Sequence, residues 1–152
     1  QICSTATAFA ALKRGGSVVT WGHGPSGGES GGVRAQLTDG VRRVCSSHGA
    51  FAALKDDGSV VTWGYPNYGG SGDSLREVGI EKRLSLKSIP EEFTAGLVAV
   101  SVRDQLAKGV EHIVASSAAF VAIKADGSVV AWGDSTSGGD SSKVQVEKSV
   151  RL

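Results

Sequence analysis

Three histidines, His23, His48 and His112, two cysteines, Cys3 and Cys45, and several glycine-rich loops carry whatever chemistry this chain can do. The histidines fall at different points of the chain and none has a second His or Cys at metal-ligand spacing, so no zinc site is expected. Ser46-Ser47-His48 offers a hydroxyl beside an imidazole. Adjacent residues of a strand point to opposite faces, however, and the serines are expected to satisfy turn backbone rather than to act as nucleophiles. Glu29, Asp73 and Asp140 make the loops acidic without the spacing of a paired-helix calcium loop. Gly27-Gly28 and Gly69-Gly70 lack the following Lys-Ser or Lys-Thr of a phosphate loop. With no nucleophile, base and oxyanion donors converging, no catalytic residue, cofactor or metal is expected, and the chain reads as a non-enzyme.

Charge narrows the partners further. Sixteen Lys and Arg against fifteen Asp and Glu leave a net charge of +1 over 152 residues, which provides no field for nucleic acid or anionic lipid. Arg42 and Arg43 with Lys13, Lys55 and Lys124 are expected to form a solvated rim beside Asp56, Asp57 and Asp126. Two cysteines do not build a disulfide scaffold, and no apolar run approaches the roughly 20 residues that cross a bilayer. A soluble protein, cytoplasmic or associated with an organelle such as a plastid, is expected. The first residue is Gln1, so a processed or trimmed portion of a longer product is expected as well.

The elements that hold these residues repeat. Phe9-Ala10-Ala11-Leu12-Lys13 returns as Phe51-Ala52-Ala53-Leu54-Lys55 and as Phe120-Val121-Ala122-Ile123-Lys124. Each is followed by a valine-rich run ending in Trp21-Gly22, Trp63-Gly64 or Trp132-Gly133. The tryptophans are 42 and then 69 residues apart, so the second interval holds 27 extra residues. Both runs alternate with the two-residue period of a strand. Asp56-Asp57-Gly58, Ala125-Asp126-Gly127 and Arg14-Gly15-Gly16 suit turns closing on a left-handed glycine, so Gly16, Gly58 and Gly127 should have positive φ. A further β-prone run precedes each hairpin, at Val41–Ser46, at Val110–Ala115 and, truncated, at Gln1–Ser4. A fourth candidate strand follows each Trp-Gly loop, around Val33 to Leu37, Val100 to Leu106 and Val144 to Val146.

Four short strands per unit predict an all-β fold of tandem antiparallel blade-like repeats, a partial or open β-propeller within a single repeat domain, 1-152. The approximate units are 1-40, 41-108 and 109-152. An insertion at about 71-98 carries helix-capping signals, Ser74-Leu75-Arg76-Glu77 and Ser88-Ile89-Pro90-Glu91, with a short helix around Leu75 to Leu84 and a second turn through Phe93 as one reading and an eroded blade or irregular loop as the other. Both faces of each sheet are expected to be covered by neighbours, with Phe9, Leu12, Trp21, Phe51, Leu54, Trp63, Phe120, Ile123 and Trp132 forming the core. Cys3 and Cys45 share a repeat position on separate inner strands and are expected to be free buried thiols.

These units resemble the regulator of chromosome condensation repeat, whose blades carry a small-residue strand, an aliphatic hairpin ending in aspartate-glycine, and a valine-rich strand ending in tryptophan-glycine. Phe51 to Gly64 is similar to short, regular variants of it found in proteins of some single-celled algae. The chain departs from the pattern in having Gly-Gly loops for the family's glycine-glutamine-leucine-glycine, a short 42-residue step and three units. The family's nucleotide-exchange activity on a small GTPase uses loops of a seven-bladed wheel, and none of those acidic or wedge residues has a match here.

Three blades fall short of the about 4 to 8 that close a ring. Protein partners, further repeats of a longer chain or a second copy are therefore expected to cover the open ends. The resemblance implies a non-enzymatic scaffold or interaction module, an accessory piece of a larger assembly. Two alternatives are a fragment of a regulatory protein of the ubiquitin ligase or exchange-factor type and a peripheral subunit of an algal photosynthetic membrane complex. The aromatic loop Tyr65, Pro66, Asn67 and Tyr68 is the leading contact candidate, with Leu75, Ile80, Leu84, Ile89 and Phe93 of the insertion as further anchors.

Overall fold

Three glycines with left-handed backbone close the hairpins. Gly16, Gly58 and Gly127 have φ of 78°, 78° and 81°, and each donates its N–H to the lysine carbonyl three residues earlier, at 3.0, 3.0 and 2.9 Å. In the second and third turns an aspartate tightens the loop. Asp57 Oδ1 accepts from Ser59 N and Oγ at 2.9 and 2.6 Å, and Asp126 accepts from Ser128 at the same distances. Gly15 stands at that position in the first turn, so no carboxylate clamps it.

The computed structural model describes residues 1–71 and 101–140. Within them lie three separate antiparallel sheets of three strands, each ordered as in the sequence. The first holds β1 (Ile2–Ser4), β2 (Ala8–Leu12) and β3 (Val18–Gly22); the second β4 (Val41–Ser46), β5 (Ala50–Lys55) and β6 (Val60–Gly64); the third β7 (Val110–Ala115), β8 (Ala119–Lys124) and β9 (Val129–Gly133). The register sets phenylalanine opposite tryptophan in every hairpin: Phe9 with Trp21, Phe51 with Trp63 and Phe120 with Trp132. The paired rings stack with centroids 5.4, 5.3 and 5.4 Å apart.

The fourth candidate strand is helical where it is described. Gly31–Leu37 is a 3-10 helix and Val102–Gln105 a four-residue α-helix. Val33 and Leu37 stand four apart, as do Val102 and Leu106, and that spacing serves a helical face as well as a strand. Ser101 decides the second case by capping: its hydroxyl accepts from Asp104 N at 3.1 Å. Leu37, Val102 and Leu106 are all buried. The third candidate, Val144 to Val146, and the insertion residues Leu75, Ile80, Leu84, Ile89 and Phe93 lie outside the described residues.

Packing between sheets follows the strand alternation. Along β5, Phe51 and Ala53 join a core with Ala8, Ala10 and Val44, while Ala50, Ala52 and Leu54 join a second core with Ile113, Phe120 and Trp132. Only a strand covered on both faces shows that division. Trp63 Nε1 donates to the Gly27 carbonyl of the preceding unit at 3.0 Å, and Trp132 Nε1 donates to Gly69 O at 3.2 Å. The second and third aromatic pairs are thus each sealed by the glycine turn of the unit before.

That polarity corrects part of the expected core. Phe51, Leu54, Trp63, Phe120 and Trp132 are buried, but Phe9 is 44% and Trp21 47% exposed, because among the described residues no unit precedes theirs. Leu12 and Ile123 are half-buried. Cys3 and Cys45 are free and half-buried rather than buried. Their thiols donate across the junctions, Cys3 to Val44 O at 3.1 Å and Cys45 to Ile113 O at 3.5 Å. Burial, then the neighbouring Cys45, pushes the Cys3 thiol above its ordinary pKa.

Candidate interaction surface

The turn after each Trp-Gly is built by one backbone pattern. The residue after the glycine donates to the residue immediately before the first strand of the same hairpin: His23 N to Thr7 O, Tyr65 N to Gly49 O and Asp134 N to Ala118 O, each at 2.9 Å. A 3-10 turn follows, at Gly24–Ser26, Pro66–Tyr68 and Ser135–Ser137, and ends on left-handed Gly27, Gly69 or Gly138. A buried hydroxyl pins the first two turns from below. Thr5 Oγ1 donates to Ser26 O at 3.2 Å and Ser47 Oγ to Tyr68 O at 2.8 Å. Ser116 makes the same bond to Ser137 O at 2.8 Å from a more exposed position. The hydroxyl of Ser47 therefore satisfies turn backbone, at Tyr68 O and Ala50 N.

At the first junction these turns bring four rings together. His23 and Tyr65 have centroids 6.3 Å apart, Tyr65 and Tyr68 6.2 Å, and Tyr68 and His48 5.7 Å. They line an open cleft of about 340 Å³ with Ala6, Thr7, Ser26 and Gly49. Gly49 makes the room. A Cβ there would lie 2.9 Å from Tyr68 Cδ2 and 3.1 Å from Tyr65 Cδ2, and the equivalent positions hold Thr7 and Ala118. Tyr65, Pro66, Asn67, His23 and His48 are exposed and Tyr68 is half-buried.

The histidines are the part that reading for motifs missed. His23 and Tyr65 are the same repeat position in neighbouring units, one residue past Trp-Gly, so stacking sets their side chains beside each other. His48 lies in the β4–β5 turn. Its N–H donates to Ser117 O at 2.8 Å and its carbonyl accepts from Ala6 N at 2.9 Å, which ties the middle unit to both neighbours. His23 Nδ1 lies 3.0 Å from Ser26 Oγ, which also accepts from Thr7 Oγ1 at 2.9 Å. His112 sits elsewhere, in β7 in register with Ile123.

The cleft is suited to recognition by stacking and hydrogen bonding. Tyrosine and histidine rings offer apolar faces with polar edges and few rotatable bonds. Among the described residues, no three His, Cys, Asp or Glu side chains gather as a metal site. Two of the basic residues are engaged within the fold. Arg42 reaches across a junction to the carbonyls of Val110 and Glu111, at 3.3 and 3.1 Å, and Lys55 lies 3.9 Å from Asp39. No helix among the described residues is long and apolar enough to cross a membrane.

One three-stranded sheet per sequence repeat, stacked through Trp-Gly turns, defines a mostly β repeat protein among the described residues. No family model matches the chain, and no curated protein matches it. Among solved structures it is similar to Prp20p from Saccharomyces cerevisiae, described with its binding to Gsp1p and histones, at 17% identity and a TM-score of 0.47. That match covers 88% of this chain and 30% of Prp20p. It is likewise similar to yeast RCC1 (Prp20) in complex with Kap60, at 18% identity and a TM-score of 0.46, over 88% of this chain and 29% of the other. The chain thus spans under a third of these yeast proteins.

Proposed function

We propose that the chain is a non-catalytic interaction module, an accessory scaffold piece of a larger protein assembly, which holds a protein partner in the cleft of Tyr65, Tyr68, His23 and His48. The observation that carries this reading is the Gly49 floor, which seats two tyrosine rings at an otherwise repetitive position. Backbone bonds hold all four ring-bearing residues in place before any partner arrives, so little ordering cost opposes binding. Pro66 and Asn67 extend the same rim, and the insertion residues Leu75, Ile80, Leu84, Ile89 and Phe93 supply further apolar anchors in this reading.

The test is the native particle. Gentle extraction followed by mass measurement should recover the chain with a co-eluting protein that crosslinks to a photoreactive residue placed at Asn67. Replacing Tyr65 and Tyr68 by alanine should release that protein, with a binding loss of about 30-fold or more if the rings are hot spots, while circular dichroism shows that the double variant is still folded. Full retention of the partner by the double variant would remove the cleft from the account.

A further inference from the structure

The chain holds three Asp-Gly steps, Asp39-Gly40, Asp57-Gly58 and Asp126-Gly127. Such a step isomerises when the aspartate carboxyl can close a ring on the glycine nitrogen, which no side chain shields. Closure needs a carboxyl free to turn and an N–H not already committed to a hydrogen bond. The fold locks two of the three steps. Asp57 Oδ1 is held by Ser59 N and Oγ at 2.9 and 2.6 Å, and Asp126 Oδ1 by Ser128 in the same way. The nitrogens they would meet are committed too, Gly58 N donating to Lys55 O at 3.0 Å and Gly127 N to Lys124 O at 2.9 Å. Asp39-Gly40 has neither lock. The Asp39 side chain is 83% exposed and its polar contact is Lys55 Nζ at 3.9 Å, while Gly40 N has no acceptor among the described residues. Gly109 repeats this backbone in the third unit, with φ of 75° against 66° at Gly40, but Lys108 precedes it and cannot cyclise.

We infer that Asp39-Gly40 is a site of spontaneous isoaspartate formation, and that the change loosens the tie between the first and second units. Gly40 N attacks Cγ of the protonated Asp39 carboxyl: a C–N bond forms, the Cγ–OH bond breaks, and water leaves with the amide proton. Water then adds to the former main-chain carbonyl carbon of Asp39, whose bond to nitrogen breaks as the proton returns to that nitrogen. The chain now runs through Cγ and is one methylene longer, and the α-carboxylate is free. Nothing is oxidised or reduced, and the mass is unchanged. The lengthened link falls at a junction. Gly40 O accepts from Asp56 N at 2.8 Å, and Val41 N donates to Gly16 O at 2.9 Å, so these two residues join the first hairpin's turn to the second sheet. The site is independent of the tyrosine cleft, since Asp39 precedes β4 and His48 follows it.

Ageing the 152-residue chain at neutral pH tests it, with circular dichroism establishing that it stays folded. Trypsin releases Asp39-Gly40 in peptide 35–42, apart from the other two steps. Isoaspartate is read by methyl transfer from labelled S-adenosylmethionine, using a carboxyl methyltransferase specific for isoaspartyl residues. In the folded chain the label should accumulate in peptide 35–42. Asp57 and Asp126 should react about tenfold or more slowly, because each step must first give up its hydrogen bonds. In urea, with those bonds gone, the three steps should react at similar rates. Asp39→Glu keeps the charge but would have to close a larger, slower ring, and should remove the label from that peptide. Hydrogen exchange at Asp56 N–H should speed up as the wild type ages and stay constant in Asp39→Glu. No label at Asp39 in the folded chain, or label at Asp57 or Asp126 as fast as at Asp39, would overturn the assignment of the site. Unchanged exchange at Asp56 in chains that carry the label would overturn the loosening of the junction.

Discussion

Phe51–Trp63 in the middle unit and Phe9–Trp21 in the first are the same pair in the same register, with ring centroids 5.3 and 5.4 Å apart, but Phe9–Trp21 is open to solvent and Phe51–Trp63 is sealed. The strand, the turn and the stacking of the two rings are therefore local properties of the repeat. Burial is not. It is conferred by the unit before, whose left-handed glycine brings backbone against the rings where a side chain would collide. In a stacked-repeat protein a residue's contribution to stability depends on its place in the array as much as on its type.

The sharpest contrast is between the two tryptophans. Trp63→Ala should cost about 3–5 kcal/mol in urea unfolding at low protein concentration, and Trp21→Ala less than about 1.5 kcal/mol, since roughly half the side chain is already in water. Equal costs would break the comparison. The glycines should follow the same order at smaller size. Gly27→Ala combines left-handed strain with overpacking against Phe51 and should cost about 2–4 kcal/mol, whereas Gly138→Ala should cost only the strain, about 1–2 kcal/mol. Below these comes Ser47→Ala, which strands the Tyr68 carbonyl and the Ala50 N–H it serves at 2.8 and 3.2 Å and should cost about 1–2 kcal/mol; Ser116→Ala, at a wetter site, should cost less.

The smallest effect concerns acid. Hydrogen bonds from Ser59 and Ser128 hold the carboxyls of Asp57 and Asp126 below the usual carboxylate pKa. A depressed folded value means that their stabilisation is fully present above the unfolded pKa of about 3.9. It is lost as pH falls through the lower folded value. Asp57→Gly and Asp126→Gly, which copy the first turn's Gly15, should therefore narrow the stability difference between neutral pH and about pH 2. Thermal midpoints across that range measure it, and an unchanged acid limb would show that the clamps do not contribute.

Much of this was legible before any coordinates. The Phe-to-Trp spacing gives the hairpin register, and the Asp-Gly turns give the positive φ at Gly58 and Gly127, because both depend on a few adjacent residues. The missing fourth strand illustrates the limit of periodicity. Val33-x-x-x-Leu37 satisfies either a strand or a helix, and the Ser101 cap, not hydrophobicity, separates them in the second unit. Listing Phe9 and Trp21 as core failed for a different reason: the residue types are right and the neighbour is absent among the described residues. The ring cluster was half legible. Tyr65 and Tyr68 stand out in a glycine-rich loop, but His23 and His48 join them only through stacking between units, which a search for ligand spacing along the chain does not see.

Hydrogen exchange at the three indole N–H groups tests the central claim most directly, read by nitrogen-15 NMR on dilute protein and assigned with Trp→Phe variants. Stacking of each aromatic pair under the preceding glycine turn predicts slow exchange for Trp63 and Trp132, whose N–H groups are bonded to Gly27 and Gly69, and fast exchange for Trp21. Three indoles exchanging at one rate, or Trp21 as the protected one, would contradict it.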